Sequence, residues 1–321
     1  MLSIYIDHNV FINYFESKFL KENHEDISVV IDKLIDIGYL FPYSPAHIEE
    51  IELFRVSGRG DSGCWFDQLS CLGEISNEKC PISANVYPKE GHFLFYDIKL
   101  CYKNITSPNN FSETMRMLPE EFHEDMNVAD KVKSYQGVIR KIVAQLKEPV
   151  EMPCDLMEMK EGSIQSFIAM LLERKKIEES IDFLKSDGPS KRILKKFEKI
   201  NPHEVFDNDS VLKFLRRMKE KEKISEFTTS NLDKDSEVFY DRQRNLTNLF
   251  RFLNSIGYSK EHNKLKAKNR LHDTSHALYA TYADVFVTND KKLKKQTQAI
   301  FSFLKYPTQV ISQEEFIKNY G

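Results

Sequence analysis

Residues 3–12 read SIYIDHNVFI, and residues 284–290 read DVFVTND. Each stretch contains a short, almost wholly apolar run, which is typical of a strand buried on both faces of a parallel sheet. A carboxylate follows each run, Asp7 in the first stretch and Asp290 in the second. Ligand sites of open α/β sheets form beyond the carboxyl ends of the strands. The sequence therefore predicts that distant parts of the chain meet in one sheet, with an acidic site at its edge.

The apolar pattern on either side of these stretches alternates between helices and strands. Helices are expected where apolar residues recur with the helical period, and strands where short apolar runs lie between turn residues. Predicted helices cover residues 9–15, 26–37, 47–54, 273–282, 293–304 and 314–320, and predicted strands cover residues 3–6, 39–44, 285–288 and 308–311. This order indicates an α/β fold with a central, mostly parallel sheet.

The middle of the chain has a different character. Most of residues 122–257 follow the helical period, whereas residues 93–96 fit either a strand or part of a helix. We therefore expect a core formed by residues 1–55 and 265–321, interrupted by a large, mostly helical insertion or subdomain at residues 56–264.

Bulk composition limits the classes of function. The chain has 321 residues, of which 30% are charged, and a net charge of −3, so no overall basic field points to nucleic acid. It has five cysteines at irregular spacing, no secretory leader and no apolar stretch near the roughly 20 residues of a membrane span. These features predict a cytoplasmic protein with reduced thiols and no membrane association.

Basic side chains nevertheless surround the second acidic stretch. They include Lys268, Arg270, Lys291 and Lys292. A basic rim around an acidic centre suits a phosphodiester substrate that binds together with a divalent cation. The alternative is that these side chains are ordinary solvent-exposed charges on helix surfaces.

Four carboxylates are candidates for one shared site: Asp7, Glu50, Asp273 and Asp290. The three aspartates stand at junctions between predicted strands and helices, and Glu50 lies on the helix after the second predicted strand. Taken singly, each aspartate is better explained as a helix cap. Carboxylates gathered from distant parts of a chain repel one another, however, so their joint occurrence favours a metal cation.

The acids lie in motifs that resemble those of the PIN-domain nucleases. The motifs read YIDHNV at residues 5–10, SPAHIEEI at 44–51, DTSHALYA at 273–280 and DVFVTND at 284–290. Residues 308–316 are similar to the terminal strand and helix of that family. The resemblance covers the two ends of the chain and does not extend to its middle.

The resemblance implies a three-layer α/β/α fold with a four-acid site. In that site Asp7, Glu50, Asp273 and Asp290 would be the catalytic residues and would bind Mg²⁺ or Mn²⁺. Hard oxygen ligands suit these ions and do not suit zinc.

Several neighbours of the acids are candidates for supporting roles. Asn9 matches the polar residue beside the first Asp of the family, and Thr288 matches the hydroxyl residue that precedes the last one. Glu49 competes with Glu50 as the ligand of the second motif. Glu50 is preferred because apolar residues frame it as they do in the family.

The role of two further residues is open. His276 lies one turn beyond Asp273 on the same helix face. It either touches substrate phosphate or a metal-bound water, or it is hydrogen-bonded within the helix layer. Asp284 either binds the metal indirectly or has a structural role as the residue that opens a strand. His8 stands where the family usually has Thr or Ser.

The function that the resemblance implies is a metal-dependent endoribonuclease acting on single-stranded or loop RNA. A toxin or defence effector of this kind would have an inhibitory protein partner, and the family also includes RNA-processing enzymes and structure-specific DNA nucleases. The competing hypotheses are a non-catalytic scaffold that binds a protein or RNA partner and a hydrolase of small phosphoesters. The sequence leaves the oligomeric state open.

Overall fold

The computed structural model describes residues 2–20, 25–56, 64–81, 94–106, 140–141, 144, 197, 199–222, 239–258 and 270–321. The chain forms two compact units: Met1–Tyr102 together with Pro189–Gly321, and Lys103–Gly188. Nearly all described residues belong to the first unit, whose fold positions the site. Across the described ranges, no helix is both long enough and apolar enough to cross a membrane.

The described secondary structure consists of short strands and longer helices. The strands are β1 (Ile4–Ile6), β2 (Lys79–Cys80), β3 (Leu94–Phe95), β4 (Val285–Thr288) and β5 (Gln309–Ser312). The helices are α1 (His8–Phe15), α2 (Glu25–Asp36), α3 (Pro45–Val56), α4 (Cys64–Ser76), α5 (Ile98–Thr106), α6 (Asp209–Glu222), α7 (Phe239–Ser255), α8 (Arg270–Ala280), α9 (Lys291–Leu304) and α10 (Gln313–Tyr320). A π-helical turn, Glu16–Leu20, continues α1, and a 3₁₀ helix, Pro202–Asp207, precedes α6.

The two ends of the chain form one parallel sheet in the order β1-β4-β5. Ile4 pairs with Val285, and Val285 in turn pairs with Gln309, so the three strands run in register. All four residues of β4 are buried because this strand has a neighbour on each side and helices against it. The prediction that distant stretches meet in a parallel sheet is confirmed. The protein is thus a mixed α/β protein, mostly helical, with a small parallel sheet.

The predicted strand at residues 39–44 is wrong. Only Leu40 reaches the sheet, through an isolated parallel bridge to Ser3 on the free side of β1. Pro42 has no backbone N–H to donate to a neighbouring strand, which restricts β-sheet pairing at this position. The N–H of Tyr43 instead bonds to the carbonyl of Lys79 at 2.9 Å, so the chain turns toward the antiparallel β2–β3 pair.

The other elements predicted near the two ends of the chain are confirmed, with boundaries shifted by a few residues. Residues 93–96, which fitted two interpretations, contain the strand β3, and helix α5 begins only at Ile98. In the predicted helical middle, α6 and α7 are helices. Most of the remainder of that middle region lies outside the described residues.

The helices form two packed groups, which α4 connects by packing against both α1 and α3. In one group, α2 packs against α1 and α10. In the other, α7 packs against α8 and α9, and α8 also contacts α3. The helices α1, α8, α9 and α10 all contact the central strand β4. As a result α1, α8 and α9, each of which carries one of the candidate aspartates at or near its start, pack on the same strand.

Candidate active site

Asp7 stands directly beyond β1 and is almost fully buried. Its Oδ1 accepts a hydrogen bond from the N–H of Val10 at 2.9 Å, so it caps the start of α1. Its Oδ2 accepts one from the hydroxyl of Thr288 at 2.5 Å. The last residue of β4 is thereby joined to the first residue beyond β1.

Asp290 stands two residues beyond β4 and is joined to the same hydroxyl. Its N–H donates to Oγ1 of Thr288 at 3.1 Å. Its own Oδ1 accepts from the N–H groups of Lys292 at 2.6 Å and Leu293 at 3.0 Å, which caps α9. Thr288 therefore links the first and last of the four candidate acids through one buried oxygen.

Asp273 lies in the first turn of α8, half-buried. Burial raises the pKa of its carboxyl to about 7, and the charges of Asp290, Glu50 and Asp7 raise it further in that order, while His276 opposes them. Across the described part of the chain, no hydrogen bond is made by this carboxyl. The charges of the other three acids thus act on the carboxyl of Asp273.

The same environment acts on Asp7. Burial raises the pKa of its carboxyl to about 6, against the hydrogen bonds from Thr288 and Val10, which lower it. Glu50 adds to the rise and His276 opposes it. Two acids in this cluster are therefore held in surroundings that disfavour their charged forms.

Glu50 reaches the cluster from α3, with 22% of its side chain exposed. Its Oε2 lies 2.7 Å from Nε2 of His276 and 3.9 Å from Nδ1 of His8. The neighbouring Glu49 is exposed and acts elsewhere: burial raises the pKa of the Cys101 thiol to about 12, and the charge of Glu49 adds to the rise. The structure thus brings Glu50, and not Glu49, together with the three aspartates.

His276 is buried and bonded on both ring nitrogens. Besides the contact to Glu50, its Nδ1 lies 2.7 Å from the hydroxyl of Tyr5. That hydroxyl lies 2.6 Å from Oγ of Ser44. Nδ1 of His47 accepts from the N–H of Ser44 at 3.1 Å, and its Nε2 lies 2.9 Å from the carbonyl of Ile6.

Sequence reasoning did not identify Tyr5, Ser44 and His47 as parts of the site. One signal was present: a tyrosine inside a strand buried on both faces must find a partner for its hydroxyl. The identity of that partner depends on how α3 and α8 approach β1, which the sequence does not specify.

The remaining candidates are distributed around the cluster or away from it. Asn9 is exposed on the first turn of α1, and Lys291 is exposed on the first turn of α9 beside Lys292. Asp284 lies at the opposite end of β4 from Asp290, where its Oδ2 accepts from the N–H of Ser3 at 2.8 Å and from its hydroxyl at 2.9 Å.

Two of the basic candidates are described incompletely or not at all. Arg270 opens α8, and only its backbone is described; Lys268 lies outside the described residues. A separate cavity of about 570 Å³, lined by residues that include Gln298, Tyr306 and Ile311, contains none of the four acids.

Among the described residues, no three His, Cys, Asp or Glu side chains are arranged as a ready-made metal cage. Comparisons of the chain with protein-family models, with curated proteins and with solved structures give no match.

Proposed function

We propose that this protein is a metal-dependent endoribonuclease whose site is formed by Asp7, Glu50, Asp273 and Asp290. The observation that carries the proposal is a set of contacts between their segments. Thr288 joins the carboxylate of Asp7 to the backbone of Asp290. His276, one turn beyond Asp273 on α8, contacts the carboxylate of Glu50 at 2.7 Å. The four acids come from four separate segments, and Asp7 and Asp290 follow the paired strands β1 and β4. The resemblance of the surrounding motifs to PIN-domain nucleases extends the proposal to a PIN-like three-layer fold, with the two helix groups on opposite faces of the sheet.

The chemistry of the donor set fits a hard divalent cation. Burying several carboxylates together is unfavourable unless a positive charge offsets their repulsion. Carboxylate oxygens prefer Mg²⁺ or Mn²⁺, and Asp7, Glu50, Asp273 and Asp290 would hold such an ion. When bound, the ion would supply an activated water and neutralise charge on the phosphodiester.

The chain's own residues would hold the acids and the substrate. Thr288 fixes the carboxylate of Asp7 and the backbone of Asp290 relative to each other. Lys291 and Lys292 occupy the first turn of α9, where a helix N-terminus and two ammonium groups favour a substrate phosphate. An RNA strand bound there would place a phosphodiester beside the acids.

A specific observation favours a second function, that of a non-catalytic scaffold. Asp7 and Asp290 each cap a helix, so their presence has a structural explanation. Glu50 and Asp273 have no capping bond, however, and capping does not explain why they face the other two. Asparagine caps helices about as well as aspartate does, so an Asp→Asn exchange separates the two functions.

The test is a cleavage assay with the purified chain. Wild type, Asp290→Asn and a control, Asp97→Asn, would be incubated with mixed RNA, single-stranded DNA and a small phosphoester, in Mg²⁺, Mn²⁺ or EDTA. Asp97 is a matched control because its Oδ1 accepts from the N–H of Leu100 at 2.7 Å, three residues on, just as Oδ1 of Asp290 accepts from the N–H of Leu293.

We expect metal-dependent RNA cleavage by wild type and Asp97→Asn, and at least a 100-fold lower rate, in order of magnitude, for Asp290→Asn. Cleavage of DNA alone would replace the RNA substrate with DNA, and turnover of the small phosphoester alone would contradict a nuclease. Absence of any hydrolysis by a folded wild type would favour the scaffold.

A further inference from the structure

Glu50 differs from the other acids in how it is held. Asp7 and Asp290 are fixed by backbone N–H groups and by Thr288, whereas Oε2 of Glu50 is contacted by the imidazole of His276 at 2.7 Å. The side chain of Glu50 has several rotatable bonds, so the direction of its carboxylate depends on such contacts. The imidazole is itself buried, which gives it little freedom to move.

A chain of buried hydrogen bonds fixes this imidazole. The carbonyl of Ile6 can only accept, so Nε2 of His47 carries a proton, and the N–H of Ser44 then donates to Nδ1. Burial lowers the pKa of His47, in agreement with a neutral ring. Oγ of Ser44 lies 2.6 Å from the hydroxyl of Tyr5 and 3.2 Å from Nδ1 of His47.

The contacts continue from Tyr5 to the acid. A carboxylate only accepts, so Nε2 of His276 carries the proton that Glu50 receives. The other ring nitrogen, Nδ1, lies 2.7 Å from the hydroxyl of Tyr5. Buried hydrogen bonds that are linked in this way polarise one another. The chain connects the carbonyl of Ile6, next to Asp7, with the carboxylate of Glu50.

We propose that His276, oriented by the Tyr5–Ser44–His47 chain, is a positioning residue that aims Glu50 at the same cation as Asp7. This inference rests on the proposed metal-dependent function. The hydrogen-bond chain would set the distance between Asp7 and Glu50, which come from different segments, because it connects both acids to the end of β1. Groups that orient a metal ligand commonly matter nearly as much as the ligand itself.

The alternative role of this network is structural, as a hydrogen-bonded polar layer between β1, α3 and α8. Tyr5 packs with its ring centroid 5.2 Å from that of His47 and 5.8 Å from those of His276 and Phe286. A purely structural network would affect the free energy of unfolding without a selective effect on metal affinity. The two roles are therefore separated by measuring Mn²⁺ binding on folded variants.

The experiment measures the Mn²⁺ dissociation constant by electron paramagnetic resonance, together with kcat and KM for RNA. The variants are Tyr5→Phe, which removes only a hydroxyl, His276→Leu, which removes both ring contacts, and His276→Gln, which retains a donor and an acceptor. The matched control is Tyr14→Phe, which removes another hydroxyl, one that donates to Asp32 at 2.8 Å and contacts none of the four acids.

We expect Mn²⁺ affinity to fall about 10- to 100-fold in His276→Leu. Tyr5→Phe should lose about threefold to tenfold, since one hydrogen bond of the chain is removed. His276→Gln should recover part of the loss, kcat should fall with little change in KM, and Tyr14→Phe should match wild type. If His276→Leu does not fold, Tyr5→Phe decides.

Affinities of Tyr5→Phe and any folded His276→Leu within about twofold of wild type would overturn the positioning role while leaving the proposed function intact. An equal loss in Tyr14→Phe and Tyr5→Phe would also overturn it. A folded wild type that binds no Mn²⁺ would overturn the metal-dependent function and this inference together.

Discussion

Asp273 is a carboxylic acid in surroundings that disfavour its charge. Burial and the neighbouring acids raise its pKa to about 7, from an ordinary value of 3.8. The folded protein therefore retains a proton on Asp273 over a pH range in which the unfolded chain has released it. Since the folded state binds more protons there, stability falls as the pH rises from about 4 to about 7 and remains lower above that range. Such acids are retained at a cost in stability, which is typical of functional sites.

The residue-scale consequence is that Asp273→Asn should stabilise the metal-free protein. We expect the free energy of unfolding in EDTA to rise by an amount on the order of 2 kcal/mol at about pH 8, because the amide carries no charge to desolvate. The gain should disappear near pH 4, where the carboxyl of the wild type is protonated. Urea denaturation at the two pH values measures this. A variant less stable than wild type at pH 8 would show that Asp273 is not held in a disfavoured state.

Thr288 is the second residue whose side chain decides the geometry of the site. Thr288→Val keeps the shape and removes the hydroxyl that Asp7 and Asp290 share. We expect a loss of about 1–3 kcal/mol in stability and about tenfold in cleavage rate. Thr308→Val is the control, since it removes a buried hydroxyl that donates to the carbonyl of Ala283 at 2.8 Å. It should be destabilised with cleavage unchanged; equal cleavage losses in both variants would contradict a specific role for Thr288.

At the scale of elements, two short parallel strands and the helices that follow them set the positions of two of the acids. β1 leads through Asp7 into α1, and β4 leads through Asp290 into α9. Parallel strands end at the same edge of a sheet, so the two caps come together there. The same pattern made these elements predictable from sequence, because each apolar run is bounded by a capping residue.

The connection from α2 to the sheet depends on a backbone conformation that favours glycine. Gly38 ends α2 with a φ of 93°, and the N–H groups of Gly38 and Tyr39 bond to the carbonyls of Ile35 and Leu34 at 2.9 Å each. A Cβ at this position would meet no atom within 4 Å, so the cost of a substitution comes from the backbone alone.

We therefore expect Gly38→Ala to lower the free energy of unfolding by about 1–2 kcal/mol. The affinity for Mn²⁺ should stay at the wild-type value, since no acid of the site lies on this turn. Urea denaturation and a Mn²⁺ titration of the same preparation give both quantities. An unchanged unfolding midpoint would show that the positive φ is not required in solution.

At the scale of the whole molecule, the site joins residues that are far apart in sequence. Asp7 and Glu50 come from the first segments of the chain, and Asp273 and Asp290 from the last. A cation bound by all four would hold both parts together, so its binding free energy would add to the stability of the entire fold.

Saturating Mn²⁺ should accordingly raise the melting temperature of wild type. At 100 times the dissociation constant the stabilisation is about 2.7 kcal/mol. The increment should be larger at about pH 8 than at about pH 5, because the ion must displace protons from Asp7 and Asp273, whose pKa values are raised to about 6 and about 7. Calorimetry with and without EDTA measures the rise in melting temperature, and Asp290→Asn is the comparison. An equal increment in that variant would place the ion elsewhere.

The three strands of the parallel sheet and the helices near both ends of the chain could be predicted from sequence, because each has a local signal in the form of an apolar run or a cap. The four acids could be selected as candidates because each lies in a motif. Prediction failed where the outcome depends on tertiary contacts. The segment at residues 39–44 has the composition of a strand, but it is interrupted by Pro42 and turns toward Lys79. The chain from His47 to His276 was not anticipated, because its members become neighbours only when α3 and α8 pack on β1.

The central claim, that one cation is held by four acids from four segments, can be tested by metal-directed cleavage of the protein backbone. Fe²⁺ would replace Mg²⁺, and ascorbate with peroxide would generate hydroxyl radicals at the bound ion, with mass spectrometry of the fragments. Cuts should cluster around Asp7, Glu50, Asp273 and Asp290, be suppressed by excess Mg²⁺ and be absent from Asp290→Asn. Cuts at other segments, or a pattern unchanged in Asp290→Asn, would contradict it.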